Sequence, residues 1–308
     1  YFYKIEVTGL NKEHFSETER ERILQAEKPN EILTAFFDCV REKGLGKGLY
    51  VIIDEYDHFA NNILSQGKEM FKDLVRTDGY VRPFYEALKK GTEHVVDRLF
   101  ITGVMPILLD SLTSGFNIGT NLSTDDRFNE MFGFTEEEIT PVLDHLGQEH
   151  ARDMIRTYYD GYRFSPHAAR TVYNSDMILY YGLRYHPERQ QIDSMIDINV
   201  VSDYRKIRAI LSIGERELEE TVLTRIVQEN EVTVSEITQL FVLTRETEFL
   251  FTEESLSSLL FYMGYLTIAG KKGISLVLTM PNLVMESLYL DYMEYMLMKR
   301  GELRINSR

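Results

Sequence analysis

Two adjacent carboxylates, Asp54 and Glu55, close the run Leu49-Tyr50-Val51-Ile52-Ile53. A mostly aliphatic run of this length predicts a strand buried on both faces, the pattern of a central parallel strand. Such a strand delivers whatever follows it to one edge of a sheet. Two acids at that edge can divide the chemistry, one holding a divalent cation while the other orients or deprotonates a water. Two further residues offer matching chemistry. Thr102 follows the apolar run Leu99-Phe100-Ile101 and brings a hydroxyl to a second strand end. Arg163 lies in the aromatic turn Tyr158-Tyr159-Asp160-Gly161-Tyr162-Arg163-Phe164, and a guanidinium suits phosphate oxygens. Each has a plainer reading as well: solvated loop acids, a hydroxyl satisfying nearby backbone, and tyrosines stacked around an ordinary turn.

An aliphatic strand followed by Asp and Glu is the Walker B layout of P-loop NTPases, where the first acid serves Mg²⁺ and the second the attacking water. Its usual companion is missing. No G-x-x-x-x-G-K-[ST] occurs anywhere in the 308 residues. Gly44-Leu45-Gly46-Lys47-Gly48 does not replace it, because no Ser or Thr follows Lys47. Those glycines also precede a strand, whereas a phosphate loop leaves one and enters a helix. They read as a helix stop and a loop.

The elements that must position these residues follow from periodicity. Phe2–Val7 alternates as a strand, and Glu31–Lys43 carries an apolar helical face that stops at Gly44. A helix from about Tyr80 to Lys90 is expected to stop at Gly91, before the Leu99–Val104 strand. Strand and helix in alternation imply a parallel sheet, whose ligands sit at the carboxyl ends of its strands. Beyond Thr120 the pattern turns helical: a capping box at Thr135 opens a helix to Gly147, and helices are expected over 148–159, 175–185, 204–213 and 215–229. Thr252 caps a helix to Tyr262. Tyr265–Ala269, a turn at Gly270–Gly273 and Ile274–Thr279 form a hairpin, giving a winged-helix-like unit. The last helix, Asn282–Lys299, is apolar nearly all round and should be buried against this domain or another partner.

Composition narrows the partners. The formal net charge of −15 opposes binding to naked nucleic acid, although an anionic nucleotide with Mg²⁺ remains compatible with it. From Val232 to Arg308 there are seven Lys and Arg against nine Asp and Glu, so Lys271 and Lys272 at the hairpin favour an intramolecular or protein contact over DNA. No apolar run is long enough to span a bilayer. The single cysteine, Cys39, suits a reducing cytoplasm and a core position on an amphipathic helix. The seven histidines, His145 and His150 among them, show no zinc-ligand spacing.

Taken in order, several segments resemble the predicted AAA-ATPase-like family of bacterial P-loop ATPases. The carriers are Tyr50–Asp57, Ile101–Val104, Ser114–Ser123, Gly133–Glu138, Tyr159–Phe164 with Val172-Tyr173-Asn174, and Leu259–Ile268. The resemblance implies a Mg²⁺ role for Asp54, a catalytic-base role for Glu55 and a sensor role for Thr102, with ATP and Mg²⁺ as cofactors. It also implies a phosphate loop that would lie before Tyr1, and often a PD-(D/E)XK-like nuclease beyond the chain's end. The expectation is an α/β protein with a parallel-sheet P-loop NTPase-like core over 1–165 and a helical lid over 166–230. A winged-helix-like unit over 231–281 and a helix over 282–308 leading to a further domain complete it. The matching function is the Walker B part of an ATPase or nucleotide switch coupled to a downstream nuclease or protein effector. The alternative is a non-catalytic module that holds a protein or DNA.

Overall fold

The computed structural model describes residues 14–56, 81–104, 119–186, 188, 192–197, 216–238 and 252–300. The expected strand at Phe2–Val7 and helix at 204–213 lie outside them. The chain divides into two compact units, Tyr1–Thr120 with Gln239–Glu248, and Asn121–Thr238 with Phe249–Arg308.

The first unit is mixed α/β. Helix α1 (Glu17–Leu24) opens with a capping box between Ser16 and Glu19, and α2 (Pro29–Glu42) opens on a proline, whose missing N–H costs nothing at a first turn. Helix α2 buries Phe37, Cys39 and Val40, as its apolar spacing predicts. Strand β1 (Leu49–Ile53) pairs in parallel with β2 (Val96–Ile101), and Ile53 stands opposite Ile101. The small parallel sheet with helices agrees with the expected α/β class.

Burial of β1 on both faces is not what the structure has. Tyr50 and Ile52 are 71% and 74% exposed, while Leu49, Val51 and Ile53 are half-buried. That alternation belongs to a sheet with one covered face. A second expectation is also corrected. Helix α3 (Val81–His94) does not stop at Gly91 but continues through it to His94. A Cβ at Gly91 would collide with the ring of Phe37 on α2, so this glycine is there to let two helices approach. Gly91→Ala should therefore destabilise the unit by about 1–3 kcal/mol through overpacking, despite alanine's better helix propensity. A denaturant-unfolding midpoint that rises in the variant would contradict this.

The second unit is largely helical around a core of aliphatic side chains and buried tyrosines. Helix α4 (Glu136–Leu146) begins on the Thr135 capping box and ends at Gly147, whose left-handed φ of 66° closes the helix. The expected helix over 148–159 is split into a 3₁₀ turn (Glu149–Ala151) and α5 (Arg152–Tyr159). Then come α6 (Ser175–Arg184), α7 (Arg216–Glu229), β3 (Val232–Val234) and α8 (Glu253–Tyr262). The antiparallel hairpin β4 (Thr267–Lys272) and β5 (Ser275–Thr279) leads to α9 (Leu283–Arg300). Ile139, Leu143, Ile155, Tyr159, Tyr173 and Leu278 are among the fully enclosed core side chains.

Two details differ from expectation. The hairpin turn falls at Gly273-Ile274, because an irregularity between Ile268 and Gly270 absorbs the extra residue and keeps both lysines in the ladder. Helix α9 buries Val284, Met285, Leu288, Tyr289 and Tyr292, yet leaves Leu290 51% exposed, so its enclosure is one-sided.

Candidate functional site

The parallel register of β1 and β2 brings their carboxyl ends level. The Thr102 N–H donates to the Ile53 carbonyl at 2.8 Å, and the Tyr56 N–H donates to the Thr102 carbonyl at 3.0 Å. These two bonds continue the ladder one step past the strands and fix the chain on either side of the acids. The side chains meet as well. The Thr102 hydroxyl donates to Asp54 Oδ1, which also accepts the Glu55 N–H at 3.1 Å. One Asp54 oxygen is thus held by two donors, which sets the orientation of the whole carboxylate.

Glu55 has a positive φ of 49°, unusual for a residue with a Cβ. A conformation of this kind costs of order 1–3 kcal/mol and persists only where neighbouring bonds impose it. Here the neighbours are the Asp54 carboxylate before it and the Tyr56–Thr102 bond after it. Tyr56 is 7% exposed, so its ring anchors the turn while both acids stay exposed. The sequence singled out Asp54, Glu55 and Thr102 but gave Tyr56 no role. Nothing short of the pairing register reveals one.

The glycine loop lies at the other end of β1. Gly44 and Gly46 adopt left-handed φ values of 69° and 64°, and the Gly48 and Leu49 N–H groups both donate to the Val95 carbonyl. This loop feeds the amino end of the strand, away from the edge that carries the acids.

Arg163 belongs to the second unit. Its N–H donates to Thr267 Oγ1 at 2.7 Å, its carbonyl accepts the Ile268 N–H at 3.2 Å, and its Nη1 donates to the Ala269 carbonyl at 3.3 Å. The aromatic turn around it is tied down at several points. Gly161, with φ of 111°, sits where a Cβ would collide with the Pro281 carbonyl oxygen. Asn282 donates to the Asp160 carbonyl at 3.0 Å while its own side-chain carbonyl caps α9. Burial pushes the Tyr162 hydroxyl pKa up, against the opposing effect of hydrogen bonds to Asn174 and Asn282. Buried Asn129, which the sequence did not flag, accepts from the Phe164 and Ser165 N–H groups and donates to the Arg170 carbonyl. The structure brings Asp54, Glu55 and Thr102 together; Arg163 is held on the hairpin of the other unit.

Helix α8 bears on nucleic acid. It buries Leu256 through Phe261, and its first-turn acids are engaged: Glu253 with Arg225, and Glu254 with the Ser235 hydroxyl and the Ser235 and Glu236 N–H groups. Such a helix has no free basic face to offer a groove. Among the described residues no three His, Cys, Asp or Glu gather as a metal cage, and no helix is long and apolar enough to cross a membrane.

Comparison with known proteins finds a partial family match. Residues 5–113 match the family described as Predicted AAA-ATPase, a stretch that contains Asp54, Glu55 and Thr102. The resemblance read from the motifs holds over that stretch. A protein of Azotobacter chroococcum mcd 1, described as an uncharacterized protein in the vnfD 5' region, is 31% identical over 140 residues. Those residues are 45% of this chain and 26% of the relative, so the chain matches about a quarter of that protein's length. No solved structure matches.

Proposed function

We propose, from the match of residues 5–113 to the predicted AAA-ATPase family, that the carboxyl edge of β1 and β2 is the metal and water half of an ATP site. The observation that carries this reading is the Thr102–Asp54 side-chain bond, made where two parallel strands end level. The donor set suits Mg²⁺ in a particular way. Mg²⁺ is usually held by one or two carboxylates plus substrate phosphates, not by an all-protein cage. One exposed, oriented aspartate with a second acid beside it fits that pattern.

In this reading Asp54 would hold Mg²⁺, which supplies charge neutralisation at the phosphates when bound. Thr102 donates its hydroxyl proton to Asp54 Oδ1 and so fixes where the other carboxylate oxygen can lie. Glu55 takes the base role: its carboxylate accepts a hydrogen bond from the attacking water and then its proton. The backbone N–H of Glu55, given to Asp54, ties the two acids into one rigid step. The 308 residues contain no phosphate-loop motif, so the phosphate-cradling half is not assigned to any residue here.

We further read β3, α8 and the β4–β5 hairpin, within 231–281, as a winged-helix-like unit, supported by the strand order β3-β5-β4. The buried, acid-capped α8 favours a packing role for this unit over base reading. Coupling of the nucleotide state to a lid and to a downstream effector belongs to the same proposal.

Thr102 gives a direct test. Thr102→Val keeps the shape and removes the donor, so Mg²⁺-dependent nucleotide affinity should fall roughly 10–100-fold, as for loss of a bond that orients a metal ligand. Thr102→Ser should restore most of it. Equal affinity in the valine and serine variants of the full reading frame, measured by titration calorimetry, would remove the assignment.

A further inference from the structure

We propose that Arg163, His167 and Lys271, beside the β4–β5 hairpin, form a binding site for a single phosphate-class oxyanion on a small molecule. Lys271 Nζ lies 3.2 Å from His167 Nε2. An ammonium has only donors, so in this contact the imidazole nitrogen stands as the acceptor. Arg163 reaches the same strand through its bond to the Ala269 carbonyl, two residues and roughly 7 Å along it from Lys271. Its Nε is buried and has no hydrogen-bond partner.

What marks the cluster is the company it lacks. The chain carries 49 Asp and Glu against 34 Lys and Arg, so a basic group here is more apt than usual to find an acid. Other cations of this unit do: Lys272 faces Glu231 at 3.4 Å, Arg170 meets Glu137 at 2.7 Å, and Arg156 meets Glu136 at 3.1 Å. Among the described residues no carboxylate pairs with Arg163, His167 or Lys271. The exposed Lys271 ammonium, in contact with the His167 imidazole and on the strand whose Ala269 carbonyl holds Arg163, gains from an anion bound beside it. A tetrahedral oxyanion matches a guanidinium fork and an ammonium point charge at once.

The surroundings limit the ligand to one anionic group. A nucleic-acid backbone needs several phosphate contacts in a row. Beyond this cluster Lys272 is already paired, α8 is buried, and Glu231, Glu253 and Glu254 lie on the adjacent elements. The site therefore suits a free phosphate, a pyrophosphate or a phosphate ester of a small molecule. It does not depend on the ATP-site reading, because every group in it belongs to the second unit.

The test is NMR of the whole 308-residue chain with isotope-labelled histidine, titrated with inorganic phosphate and pyrophosphate at constant pH and ionic strength. The His167 ring signals should move and saturate, while those of exposed His145 and His150 stay in place. Lys271→Met, at an exposed strand position, should weaken binding about tenfold or more, the loss expected for one charge-assisted bond. Arg163→Lys keeps the charge and loses the fork, and should weaken it also. Unmoved His167 signals, a drift shared by all three histidines, or unchanged binding in Lys271→Met would overturn the proposal. So would a duplex oligonucleotide that moves His167 at lower concentration than phosphate does, since that outcome makes the surface a polymer contact.

Discussion

Glu55→Gln is expected to leave Mg²⁺·ATP bound and to lower turnover by roughly 10²–10⁴-fold, the usual contribution of a positioned general base. The amide keeps the size of the side chain and can still hydrogen-bond a water, but cannot take its proton. Because Glu55 sits at a φ of 49° between two fixed neighbours, the substitution should not move the backbone. The positive φ is met equally by both side chains, so stability is expected to stay within about 0.5 kcal/mol. Binding and single-turnover hydrolysis, both in the gene's full reading frame, separate the effects. Loss of binding together with turnover would mean that Glu55 shapes the site and does no proton transfer. Full turnover would remove the base assignment.

Gly161→Ala is expected to have the largest effect on stability, about 3 kcal/mol or more. Two costs add: a backbone conformation that penalises any Cβ, and collision with the Pro281 carbonyl oxygen. The obstacle is main chain, so no rotamer change relieves it. Gly273 offers the comparison, since its φ of 67° is left-handed too but a Cβ there meets open space. Gly273→Ala should cost only the conformational part, about 1–2 kcal/mol. Denaturant midpoints for the two variants would decide it. Equal losses would mean that the turn and the start of α9 are not locked together as the Asn282 bonds indicate.

What the sequence made legible was local. The Thr135 capping box and the Thr252 cap placed α4 and α8 because a cap needs only residues a turn apart. Strand β1 and its terminal acids were readable as an aliphatic run with an abrupt end. Features that depend on distant neighbours were not. Gly91 reads as a stop until Phe37, far earlier in the chain, is seen to fill the space beside it. Tyr50 and Ile52 read as buried because composition cannot show which face of a strand is covered. The hairpin turn was misplaced because a bulge, not the glycine itself, sets the register. At the site, residue types at strand ends were enough to suggest Asp54, Glu55 and Thr102. The bond between two of them, and the part of Tyr56 in fixing the turn, come only from pairing.

The most direct measurement of the central assignment is electron paramagnetic resonance of Mn²⁺ with ATP bound to the protein in its full reading frame. A bound-Mn²⁺ signal is expected that Asp54→Asn abolishes and Glu55→Gln retains. A signal that persists at the same affinity in Asp54→Asn would show that this strand end does not hold the metal.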